Sequence, residues 1–159
     1  MPSPIVTLQK PPIEQSRRLT LRPTIRSTTR ARVLLVEDNP VDAMRIRQLL
    51  ARAKVSDFAI DSVASVAGAG ERLAAGAVDV VLLDLDLPDS LGLATYSGLA
   101  VAAPGVPVVV LCRPTDEALG IEAVRLGAQD FVLKNSIGAE GLARAVRCAI
   151  ERHRLISSL

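Results

Sequence analysis

Six residues in this 159-residue chain have types and spacing that suggest joint chemistry. Glu37 and Asp38 directly follow the apolar run at 32–36 (RVLLV), and Asp84 closes the run at 79–83 (DVVLL) with Asp86 two residues on. Cys112 ends the run at 107–111 (PVVVL), and Lys134 follows the short apolar segment at 130–133. Carboxylates brought to one place repel and take up protons unless a cation neutralises them. A hard, oxygen-seeking ion such as Mg²⁺ meets that need with one or two carboxylates, waters and a phosphate oxygen. Lys134 adds a mobile point charge suited to a phosphoryl group. Metal and lysine together would offset the charge on three equatorial oxygens during phosphoryl transfer, where positioning and electrostatics dominate. Asp84, at the end of the most apolar run, is the expected nucleophile. Any one of these acids alone reads better as a loop cap, but the recurrence of charge at successive run ends does not.

The elements that must carry these residues can be read from period and punctuation. The runs at 32–36, 79–83 and 107–111 are too apolar to have a wet face, so they read as strands buried on both sides. Asn39-Pro40 supplies an N-cap and a first-turn proline for a helix from 41 to 53 with Ile46, Leu49, Leu50 and Ala53 on one face. Residues 58–63 alternate as a strand, and an Ala-rich helix over 65–75 is closed by Gly76. Pro88, Asp89, Ser90 and Gly92 form a loop before a helix that runs to about Ala102. A further helix starts at Thr115 and ends at Gly127, residues 130–133 form a short strand, and a final helix covers about 139–155. Its stripe comprises Leu142, Val146, Ala149, Ile150 and His153. Five strands alternating with five helices predict a doubly wound α/β domain with a parallel sheet. Ligands of such sheets sit at the carboxyl ends of the strands, where the acids and Lys134 fall.

Charge divides the chain. Residues 1–31 carry six basic side chains against Glu14 alone, five of the ten prolines and no sustained periodicity. They read as a disordered basic N-terminal extension, and residues 32–156 as the folded domain. Clustered arginines would attract phosphate or an anionic surface, but a solvated tail is the plainer reading. Cys112 and Cys148 stand in apolar surroundings without metal-ligand spacing, which fits a reducing cytoplasm. No apolar run approaches the ~20 residues of a membrane span.

The stretches VLLVEDNPVDAMRIRQLL, DVVLLDLDLPDSLGL, VPVVVLCRPTDEALGIEAVRLGAQDFVLKN and AIERHRL together resemble the receiver domains of bacterial two-component response regulators over about residues 31–155. The resemblance implies a flavodoxin-like sheet of strand order 2-1-3-4-5. It further implies a Mg²⁺ site formed by Glu37, Asp38 and Asp84, with the backbone carbonyl of Asp86 as a further ligand. Asp84 would accept a phosphoryl group from a histidine kinase or a phosphotransfer protein, and Lys134 would pair with that group. Phe131 stands at the place of the aromatic that changes rotamer on activation, and the face formed by residues 116–155 is expected to serve dimers or targets. The chain most resembles a stand-alone regulator without a DNA-binding domain.

Three positions depart from that pattern. Cys112 replaces a Thr or Ser whose hydroxyl donates to the phosphoryl group, and a thiol is a weak donor. Arg113 replaces a small residue; it is placed to pair with Asp86, to pair with the phosphoryl group, or to narrow access. Asp86 is unusual two residues after the acceptor, where its side chain would position a hydrolytic water. Two other readings compete: a degenerate receiver acting as a constitutive binding module, and an aspartyl-phosphate phosphatase of the haloacid dehalogenase type suggested by D-x-D at 84–86. Against the phosphatase stand the motif's late position and Pro88.

Overall fold

The computed structural model describes residues 30–54 and 57–159. Strands β1 (Ala31–Val36), β2 (Phe58–Val63), β3 (Val80–Asp84), β4 (Val108–Cys112) and β5 (Asp130–Leu133) form one parallel sheet in the order β2-β1-β3-β4-β5. The helices α1 (Pro40–Arg52), α2 (Val66–Ala74), α3 (Leu93–Ala102), α4 (Glu117–Leu126) and α5 (Ala139–Ser157) cover both faces. This is the doubly wound, flavodoxin-like arrangement expected from the sequence. The strand period of two sorts the core into two layers. Val33, Leu35, Val80, Leu82, Val109 and Leu111 pack with α1 and α5, whereas Leu34, Val36, Val81, Leu83, Val110 and Cys112 pack toward α2, α3 and α4. Every residue of β3 and β4 is buried, which is why those segments have no polar alternation.

Boundaries shift slightly from the sequence reading. β1 begins at the buried Ala31, inside the segment assigned to the N-terminal extension; residues 1–29 of that extension lie outside the described residues. The helix expected from Thr115 begins instead as a 3₁₀ turn over Pro114–Asp116, and α5 continues to Ser157. Cys148 is exposed on α5, where it lines a groove with Val132, Leu133, Ile137 and Ala145, while the α5 stripe that faces the sheet is Leu142, Val146, Ala149 and Ile150. His153 holds the carbonyl of Gly105 through Nε2 at 2.9 Å.

Candidate functional site

The strand ends converge as the sheet topology requires. At the end of β1, the Glu37 amide donates to the Val63 carbonyl at 3.0 Å, which extends the strand pairing and fixes where the Glu37 side chain emerges. Asn39 then caps α1, its Oδ1 accepting from the amides of Val41 and Asp42 at 2.9 and 3.2 Å. Past β5, the Lys134 amide donates to the Cys112 carbonyl at 2.9 Å, and the Lys134 carbonyl accepts from Arg45 Nη1 at 3.0 Å. The lysine backbone is therefore held from both sides.

Glu37, Asp84 and Lys134 are all buried. Lys134 Nζ lies 2.9 Å from Glu37 Oε1, 3.0 Å from Asp42 Oδ2 and 3.2 Å from Asp84 Oδ2. Burial opposes the lysine's charge, yet the hydrogen bonds of Glu37 and Asp42 and the charges of Asp84 and Glu37 outweigh it, so its pKa rises. Glu37 is pushed up to about 8 by burial first, then by its hydrogen bond with Asp84 and that group's charge. The cluster is thus short of positive charge even with Lys134 in place.

The loop after Asp84 is tied down residue by residue. The Asp86 amide donates to Asp84 Oδ1 at 3.1 Å. Asp86–Leu87 and Ser90–Leu91 pair as a two-residue antiparallel ribbon. Gly92, at φ 68, takes a conformation that side chains disfavour and donates its amide to the Leu85 carbonyl at 2.8 Å. Thr95 Oγ1 donates to the same carbonyl at 3.1 Å. Asp89 accepts from the amides of Val66 and Ala67 at 3.0 and 3.1 Å, which lowers its pKa and fastens the loop to the start of α2.

A cleft of about 360 Å³ opens over these groups, lined by Glu37, Asp38, Asp42, Asp84, Asp86, Arg113 and Lys134 among others. Arg113 Nε holds Asp116 Oδ2 at 3.0 Å and its Nη2 lies 3.7 Å from Asp86 Oδ2. Of the readings left open for Arg113, pairing with Asp86 is present, and Asp116 is a second partner that the sequence did not suggest. Cys112 is buried, and burial followed by the charges of Asp116 and Asp84 pushes its thiol up to about 11. Phe131 lies one layer away: a Cβ on Gly120 would stand 2.8 Å from Phe131 Cγ and 2.7 Å from Cys112 Sγ, so only glycine lets α4 sit this close.

Comparison with known proteins decides the family: the profile of the response regulator receiver domain matches residues 33–147. The chain belongs to the response regulator receiver family. A transcriptional regulatory protein KdpE of Mycobacterium tuberculosis is 34% identical over 127 residues, covering 80% of this chain and 54% of its own length. A protein-glutamate methylesterase/protein-glutamine glutaminase of Anaeromyxobacter dehalogenans is 37% identical over 134 residues, covering 80% of this chain and 37% of its own. The receiver thus spans about half or less of these relatives. Among solved structures, the signal receiver domain of a LuxO repressor protein from Vibrio parahaemolyticus superposes with a TM-score of 0.69 at 26% identity, over 81% of this chain and 96% of that one. A receiver domain from Clostridium thermocellum gives 0.67 at 23%, over 79% and 98%, and supports the fold.

The receiver family binds Mg²⁺ at an acidic site, and the donor set here suits that ion. Glu37, Asp38 and Asp84 each offer a carboxylate oxygen within 4.8 Å of the others. All three are hard donors, and the raised pKa of Glu37 marks a place where a cation would be welcome. Sequence reading missed Asp42, Arg45 and Gly120. The two charged residues lie three positions apart on one face of α1, a spacing that was legible, but only the fold reveals that this face meets the end of β5. Among the described residues, no helix is long and apolar enough to cross a membrane.

Proposed function

We propose that this receiver accepts a phosphoryl group on Asp84 from a histidine kinase or a phosphotransfer protein, in a Mg²⁺-dependent relay, and signals onward by protein contact. The observation that carries the proposal is the buried set of Glu37, Asp84 and Lys134 in a cleft lined mainly by polar side chains, with Leu87 and Pro88 beside them. A carboxylate oxygen of Asp84 forms the new O–P bond as the donor's N–P bond breaks, and the departing imidazole keeps the electron pair. Lys134, already 3.2 Å from Asp84 Oδ2, stands beside the incoming oxygens and offsets their charge. Glu37, Asp38 and Asp84, with the backbone carbonyl of Asp86, would hold the Mg²⁺, which when bound supplies further positive charge to the phosphoryl oxygens. The face formed by residues 116–155 carries a groove of about 790 Å³ between β5, α4 and α5, lined mainly by apolar side chains such as Phe131, Leu133 and Ile137 together with acids and arginines, which supports its use for a homodimer or a target.

Incubation with a small acyl phosphate and Mg²⁺ is expected to add one phosphoryl group by intact mass. Chelating the metal or substituting Asp84→Asn is expected to abolish the addition. Labelling that survives Asp84→Asn would overturn the assignment.

One observation favours a second reading, a binding module that no longer switches: the buried Cys112 thiol is a weak donor at the position of the usual hydroxyl. A chain that fails to bind beryllofluoride with Mg²⁺ would support it.

A further inference from the structure

The side chain of Cys112 is committed to the apolar layer, its Sγ pressed against α4 at Gly120, so the hydroxyl that a receiver uses beside its acceptor has no substitute at that residue. The next residue offers one. Arg113 lines two clefts that contain Asp84, and its guanidinium reaches Asp86, whose own amide is bonded to Asp84 Oδ1. Its firmer partner is Asp116, the last residue of the 3₁₀ turn that leads into α4. The Asp116 carboxylate makes no capping hydrogen bond to α4; it faces Arg113 instead. Arg113 is exposed and Asp116 half-buried, and an ion pair at the surface of that kind is weak and readily exchanged. A phosphoryl group is a stronger competitor, because it carries more charge and accepts the planar guanidinium through two parallel hydrogen bonds.

We propose that Arg113 supplies the phosphoryl contact that Cys112 cannot. On phosphorylation it leaves Asp116 for the phosphoryl oxygens of Asp84, releasing the first turn of α4. Asp116 then stands beside Glu117 without its guanidinium partner, and the turn between β4 and α4 loses its side-chain tie. One helical turn further on, Gly120 rests directly on Cys112 and Phe131, so a shift of α4 reaches that aromatic side chain. The inference rests on Asp84 being the acceptor.

Amide chemical shifts during titration with Mg²⁺ and beryllofluoride test it. In the parent, the amides of 84–86 and Lys134 should respond together with those of 117–120. In Arg113→Ala the first group should still respond and the second should not, with beryllofluoride bound at least about tenfold more weakly, through the loss of the guanidinium's charge-assisted hydrogen bonds. Asp116→Asn should displace the 117–120 amides before any analogue is added. An Arg113→Ala response at 117–120 equal to the parent's, with unchanged affinity, would overturn the exchange while leaving Asp84 as acceptor. No response in the parent would remove the acceptor assignment and the exchange with it.

Discussion

Two rings of charge surround Asp84 and obey different physics. In the inner ring, the side chains of Glu37, Lys134 and Asp84 are 0%, 7% and 10% exposed, and three oxygens lie within 3.2 Å of one ammonium. In the outer ring, Arg113, Asp86 and Asp116 are 53%, 57% and 31% exposed, with contacts of 3.0 and 3.7 Å. A buried charge that loses its partner bears the full cost of desolvation, so the inner ring is held in one geometry. An exposed charge that loses its partner is taken up by water, so the outer ring can exchange partners at little cost. Under the proposed function, fixed geometry would serve the chemistry of transfer and exchangeable geometry the relay of its outcome.

Substitutions should separate the two rings. Lys134→Met leaves Glu37 and Asp84 without their cation, and urea unfolding in metal-free buffer should show a loss of about 2 kcal/mol, moderated because Glu37 can hold a proton. A change within the error of the measurement would mean that the inner ring is no more coupled than the outer. Asp86→Asn removes a carboxylate able to position a hydrolytic water, and the acyl phosphate should last about tenfold longer. A lifetime unchanged or shortened would deny Asp86 that role. Arg113→Ala should alter global stability by less than about 1 kcal/mol, since its pairs are exposed. A larger loss would place Arg113 with the inner ring.

Cys112 marks the wall between the rings. At pH 8 a thiol with a pKa of about 11 is ionised in only about one molecule in a thousand. Iodoacetamide should therefore modify the exposed Cys148 of the folded protein and spare Cys112, and mass spectrometry should find a single adduct. Rapid modification of Cys112 would indicate that the apolar layer beneath α4 opens readily.

The residues of the inner ring were largely legible in the sequence, because Glu37 and Asp84 end apolar runs that only a doubly covered strand can accommodate and Lys134 directly follows a further short strand. Runs, caps and periods are local signals, and they sufficed for the strands ending at Val36, Asp84, Cys112 and Leu133. What they could not convey is which helix face meets which strand end. Asp42 and Arg45 look like the solvated side of an amphipathic helix until α1 is brought against the residue that follows β5, where one holds the Lys134 ammonium and the other its carbonyl. Asp89 looks like a turn residue until its carboxylate is found on the amides of α2, more than twenty positions away. Gly120 looks like a weak point in a helix until Cys112 and Phe131 fill the space where a Cβ would go. The sequence determined the sheet and the acids on its rim, since burial and charge at strand ends are written residue by residue. Tertiary structure alone decided the partners of Lys134 and Arg113, because a charge's neighbours across the fold are fixed by packing and not by its place in the chain.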